Sequence, residues 1–219
     1  MKHTLLIYFL MVGTIFAGSQ QESLMPVGFD QVHIGMDWRS LVDLRPNAEI
    51  MNMMPNPSVD LKPNPKEPKG GLVERLTSGP FDRVMYAFEK GVLVAVMFGK
   101  EESNDSSSER EKLIRTVAKD RGMPVRIEMV GNRRDQGVLT WQDHALQVNV
   151  IAPVDDAKSK KGVLGLQIMN RKYAERIKAI GVSDDVRKGK ELQDKDRVDA
   201  FKTEIQKLLS MSGNTPEEE

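Results

Sequence analysis

Asp82-Arg-Val-Met-Tyr-Ala-Phe-Glu-Lys-Gly-Val-Leu-Val-Ala-Val-Met-Phe98 carries the strongest local signal in the chain. Val84, Tyr86 and Phe88 alternate with Arg83, Met85 and Ala87, and Glu89-Lys90-Gly91 offers a reversal point. Leu93, Ala95 and Met97 then alternate with Val94, Val96 and Phe98. Period-two patterning on both sides of a Gly-containing turn predicts a β-hairpin. The second arm is apolar on both faces, as expected of an inner strand.

Working outward, Asp37 is placed to cap a short helix from Trp38, with Met36, Leu41 and Leu44 on one side and Pro46 ending it. Phe29 to Ile34 reads as a short strand or extended segment before it. Residues 46–69 hold six of the eleven prolines, so a long surface loop is expected there, either a plain linker or a Pro-rich segment through which a partner binds. Leu72 to Thr77 is a further strand. After a polar loop, Ser106, Ser107 or Ser108 caps a helix with Leu113, Ile114 and Val117 inward, stopped by Gly122-Met123-Pro124. Val125, Ile127 and Met129 alternate, and Val138–Trp141 with Leu146–Ile151 form a second hairpin. Residues 162–169 are strand, and a helix from about Asn170 turns Tyr173, Ile177 and Ile180 inward. Beyond Asp184 charge dominates, and Val198, Phe201, Ile205, Leu208 and Leu209 mark one narrow amphipathic helix. Two readings of that helix stand: a solvated extension resting weakly on the domain, or a docking helix for a partner.

A shift of 53 residues lays Phe88 on Trp141, Leu93 on Leu146 and Met97 on Val150, with a helix before each hairpin. The expected fold is α+β: an antiparallel sheet from two helix-plus-meander repeats, about 29–99 and 105–169, with helices on one face, plus a C-terminal helix. Residues 20–181 form that domain, and 182–219 are a charged extension and tail. The sheet face without helices would then be a contact surface, more so if it bears aromatics.

Composition sets bounds on function. The 219 residues include 32 basic and 32 acidic side chains, so no global field recruits nucleic acid or an anionic membrane. Residues 1–19 have the layout of a secretory signal: a weakly basic start, an apolar run from Thr4 to Phe16, and Ala17-Gly18-Ser19 for cleavage. The apolar run is shorter than the roughly 20 residues that span a bilayer, so no stable membrane insertion is expected after cleavage. The expected location is secreted or periplasmic. With no cysteine there is no disulfide, thiolate site or lipidated N-terminus.

Catalytic patterns are scarce. His33 and His144 are isolated, no His-Glu-x-x-His or Gly-x-Ser-x-Gly occurs, and no glycine-rich phosphate loop follows a strand. No cofactor or metal is expected. Glu74 and Asp82 are a carboxylate pair that could meet in space, which keeps an exported hydrolase as the alternative. Four residues are candidates for binding. Trp38 and Trp141 each lie next to a turn, where an aromatic with one wet side suits a contact. Arg133 and Arg134 sit in a turn, where they can grip a carboxylate or phosphate.

Phe29-x-x-Val32-x-Ile34-Gly35-Met36-x-x-x-x-Leu41, followed by a loop and a meander, resembles the small bacterial envelope domains of the SmpA/OmlA kind. It is also similar to the β-lactamase-inhibitor family, in which such a unit occurs twice. The resemblance spans about residues 29–152 and is strongest at Ile34-Gly35-Met36. It implies a turn leading into a short helix packed on a small sheet. It also implies a non-catalytic role in contacting another envelope or extracellular protein. The chain departs from both families in having no cysteine for a lipid or a disulfide.

Overall fold

The computed structural model describes residues 25–50, 71–101, 106–130, 136–154, 163–181 and 195–211. The fold is α+β. Helix α1 (Trp38–Leu44) precedes strands β1 (Glu49–Ile50), β2 (Leu72–Arg75), β3 (Arg83–Glu89) and β4 (Val92–Glu101). Helix α2 (Ser106–Arg121) precedes β5 (Arg126–Val130), β6 (Gln136–Gln142), β7 (Leu146–Pro153) and β8 (Val163–Asn170). Helices α3 (Arg171–Gly181) and α4 (Lys195–Ser210) follow. All eight strands form one antiparallel sheet in the order β1-β2-β3-β4-β8-β7-β6-β5.

The Asp82–Phe98 stretch is the β3–β4 hairpin, closed by a two-residue turn. Lys90 and Gly91 both have positive φ, at 53° and 78°, the twist that suits a tight hairpin. Pairing slips by one residue at Ala87/Phe88, so Leu93 faces one side of the sheet while Val94 and Ala95 join the other. As the apolar pattern implied, β4 is central: it pairs with β3 on one side and β8 on the other.

Each half of the chain thus contributes a helix and a four-stranded meander, and the halves meet at their last strands. The 53-residue echo is one strand out of step with this order. It lays β3 on β6 and β4 on β7, whereas the sheet sets β4 beside β8 and β3 symmetrically opposite β7.

One face carries the main core. Leu41 of α1, Ile114 and Val117 of α2, and Phe201 and Ile205 of α4 pack on Tyr86, Val96, Phe98, Trp141, Val148 and Ile168. Asp37 caps α1 as expected, its carboxylate accepting from the amides of Arg39 at 3.0 Å and Ser40 at 3.1 Å. Phe29 to Ile34 is not a strand. It runs through turns, with Phe29 N–H donating to Pro26 and Val32 N–H to Phe29, yet Met25, Phe29 and Val32 are buried. Within the expected 46–69 loop, β1 pairs with β2; residues 51–70 lie outside the described part.

Two expectations are corrected. The helices do not all share one face, because α3 packs on the other, with Ala174 against Ala87, Ala95 and Met169. Among the described side chains of α3 the buried one is Ala174; Tyr173 packs beside it half-buried, Ile177 is 39% exposed, and Ile180 lies outside the described side chains. Nor does α4 rest weakly on the surface: Phe201 and Ile205 are 1% and 0% exposed.

The end of α2 is tied to the β6–β7 turn. Asp143 accepts from Ala145 N–H at 2.7 Å, Leu146 N–H at 2.8 Å and Arg121 at 2.7 Å. Burial opposes ionisation of this carboxyl, but the Leu146 and Ala145 amides and Arg121 outweigh it and hold its pKa below the ordinary aspartate value. A lowered folded-state pKa contributes stability above the unfolded value that is lost as pH falls through the folded one. Asp143→Asn is therefore expected to cost about 1–2 kcal/mol at neutral pH. The gap to the parent chain should close as pH drops below about 4. Urea unfolding at a series of pH values checks this; a pH-independent gap would show that the charge is irrelevant.

Candidate functional site

The sheet face opposite α1, α2 and α4 is the candidate contact surface. Helix α3 covers one end of it. Asn170 opens that helix, its Oδ1 accepting from Lys172 N–H at 3.0 Å. Arg171 N–H donates to Ala145 C=O at 2.9 Å, and the Arg171 side chain reaches Asp143 C=O at 3.2 Å. Further along, Arg176 pairs with Glu89. The helix therefore crosses from the β6–β7 turn to the end of β3. Tyr173 is half-buried beneath it, and burial first, then the Glu89 charge, push its phenol pKa up.

Two rows of side chains on this face lie beyond α3. The register sets Val73, Met85, Met97, Gln167, Asn149, Thr140 and Arg126 in line across seven strands. On β2, β3 and β4 this row is apolar and half-buried: Val73, Met85 and Met97. On β7 and β8 it is amide, with Gln147 donating to Asn149 and Asn149 to Gln167, each at 3.1 Å. The next row begins with Arg75 and Arg83, directly opposite one another, and ends with Glu128. At that far end Arg126 and Glu128 neutralise each other at 2.9 Å. The surface is thus a half-buried apolar strip flanked by two arginines on one half, and on the other an amide row in which Asn149, like Thr140 beside it, is buried.

It does not bear the aromatics expected of it. Tyr86, Phe98 and Trp141 all point into the core on the helix side. Trp141 is 1% exposed and donates its indole N–H to Gly122 C=O at 2.8 Å, so it anchors the end of α2 and is not a contact residue. Trp38 is half-buried at the start of α1, with its backbone N–H on Gly91 C=O at 2.9 Å and Arg39 over its ring. It lies on the other side of the sheet from the open rows. Arg133 and Arg134 fall outside the described residues. Sequence reasoning missed Met85, Met97, Arg75 and Arg83 as a group, because strand register alone brings them together.

Of the carboxylate pair Glu74 and Asp82, Glu74 is engaged within the fold. Glu74 is buried and committed to Arg45, whose Nε and Nη2 donate to its two oxygens at 2.9 and 2.7 Å, while Tyr86 O–H donates at 3.0 Å. The Glu74 hydrogen bond raises the Arg45 pKa, and burial, then the Glu74 charge, push Tyr86 well above the ordinary phenol value. Asp82 is exposed at the head of β3. His33 and His144 are both exposed. Among the described residues no three metal-ligating side chains come together, and no helix is long and apolar enough to cross a membrane. Compared with protein-family models, curated proteins and solved structures, the chain matches none.

Proposed function

We propose that this chain is an exported, non-catalytic module of the bacterial envelope or extracellular space, and that it binds another protein there through the open rows of its sheet. The Val73–Met85–Met97 strip beside Arg75 and Arg83 carries the reading. Methionine side chains adapt to varied apolar surfaces, and arginines at the rim take carboxylates in bidentate fashion. A partner segment with apolar residues flanked by acids fits both.

Two further features support it. The N-terminal pattern of residues 1–19 and the absence of cysteine suit an exported chain that depends on its core alone. The Ile34-Gly35-Met36 turn docks on β4, with Gly35 N–H on Leu93 C=O and Leu93 N–H on Met36 C=O, both at 2.8 Å, and leads into α1. A turn leading into a short helix is what the resemblance to SmpA/OmlA-type domains implies, and it supports the reading without testing the family. Trp38 flanks this turn and is a second candidate contact.

A photo-crosslinking residue placed at Met97 tests the reading in the producing cells. A single crosslinked species is expected, lost with Met85→Asp or Arg83→Glu and kept with Lys112→Glu on α2. Crosslinking that is diffuse, or indifferent to the face substitutions, would refute it. Sequencing of the secreted chain is expected to begin just after Ala17, Gly18 or Ser19.

A further inference from the structure

The sheet ends in an edge that is complementary to itself. Strand β5 comes last in the strand order, so among the described residues no strand pairs with its outer side. Such an edge presents a row of backbone N–H and C=O groups to any extended segment. The other end of the sheet offers less, since β1 has two residues and β5 has five. The chain is held on β6 from one residue before β5, where Val125 N–H donates to Thr140 C=O at 2.8 Å. Yet Val125 is 66% exposed and Met123 56% exposed, so large apolar side chains stand uncovered where the edge begins.

The devices that usually blunt an edge are weak here. Strand β5 contains no proline or lysine, and its two charges, Arg126 and Glu128, lie 2.9 Å apart and cancel. The same two charges specify an occupant. If β5 pairs antiparallel with β5 of a second copy about Ile127, Arg126 lies opposite Glu128 of that copy, and Glu128 opposite its Arg126. Ile127 then meets Ile127, and Val125 meets Met129. The four charges alternate around a square, each with two neighbours of opposite sign. Centring the pair one residue earlier sets Arg126 on Arg126, and one later sets Glu128 on Glu128; like charges directly opposite are destabilising. A half-step sets Ile127 on Glu128 and turns the helix-covered faces of the two copies to opposite sides. Of these registers only the one about Ile127 matches charge with charge, and it keeps both helix layers on the same side.

We propose that β5 is a homophilic docking edge, which pairs antiparallel with β5 of a second copy about Ile127 and joins the two sheets into one. Five paired residues make a small interface, so the dimer is reversible and concentration-dependent. It is independent of the sheet-face reading.

Sedimentation of the unaltered chain, together with Arg126→Glu and Glu128→Arg chains expressed separately and then mixed, tests it. Both side chains are partly exposed, so neither substitution disturbs the core. The unaltered chain is expected to shift from monomer to dimer between micromolar and hundreds of micromolar. Each substituted chain sets like charges opposite one another and is expected to stay monomeric. Mixed, the two match at both positions, and native mass spectrometry is expected to show a 1:1 heterodimer that neither forms alone. A dimer that persists in both substituted chains would place the contact on another surface and overturn the proposal. So would two folded chains that stay monomeric after mixing. An unaltered chain that is monomeric at every concentration overturns it as well, and leaves the edge to an extended segment of another protein.

Discussion

Arg45→Met is expected to destabilise the fold by about 3–5 kcal/mol, because it leaves the Glu74 carboxylate buried without its cation. Glu74 is 6% exposed and receives both arms of the guanidinium. The same side chain donates to Gly28 C=O at 3.0 Å and lies 4.2 Å from the centre of the Phe29 ring. One residue thus joins α1, β2 and the segment before α1. Tyr86 still donates to Glu74 in the variant, which favours the lower end of the range. The double substitution Arg45→Met with Glu74→Leu should recover most of the loss, since two apolar side chains need no compensation. Denaturant titration of the four chains of this cycle measures it. A double variant no more stable than Arg45→Met would mean that lost packing around Phe29, and not the stranded charge, sets the cost.

Trp141→Ala is expected to cost a similar amount, about 3–5 kcal/mol, as truncation of a fully buried aromatic leaves a large void. The indole lies under α2, and its N–H bond to Gly122 is lost as well. For a chain of this length the midpoint of thermal unfolding should fall by roughly 10 °C. The substitution is therefore no probe of partner binding: any loss of contact would follow from loss of fold. A variant as stable as the parent would contradict the burial and return Trp141 to the contact residues.

These two residues show how far local reading goes. Tryptophan beside a turn is ambiguous in sequence, because a turn residue's neighbours on other strands are unknown. Trp141 pairs with Val148 and faces α2, so the ambiguity ends in the core. Glu74 looked like one half of a carboxylate pair, but its nearest cation is 29 positions away in the chain. Asp37 was legible as a cap because its partners, Arg39 and Ser40, are its own neighbours. The two-residue strand β1 was not legible: it exists only because β2 offers it an edge. The small Ala174 was passed over in α3 for the larger Ile177, although a helix approaching a sheet at Ala87 and Ala95 needs a small residue at the contact.

The order of amino acids by itself determined that residues 83–89 and 92–98 are paired strands, that helices start near Trp38 and Ser106, and that the chain lacks thiol chemistry. Alternation, caps and composition act over a few residues and need no distant partner. Only the tertiary structure decided that β8 inserts between β4 and β7, that α3 crosses to the face left by the other helices, and that Met85, Met97, Arg75 and Arg83 share one surface. Strand neighbours and covered faces follow from the total apolar area that the assembled layers hide, and that sum has no local signature.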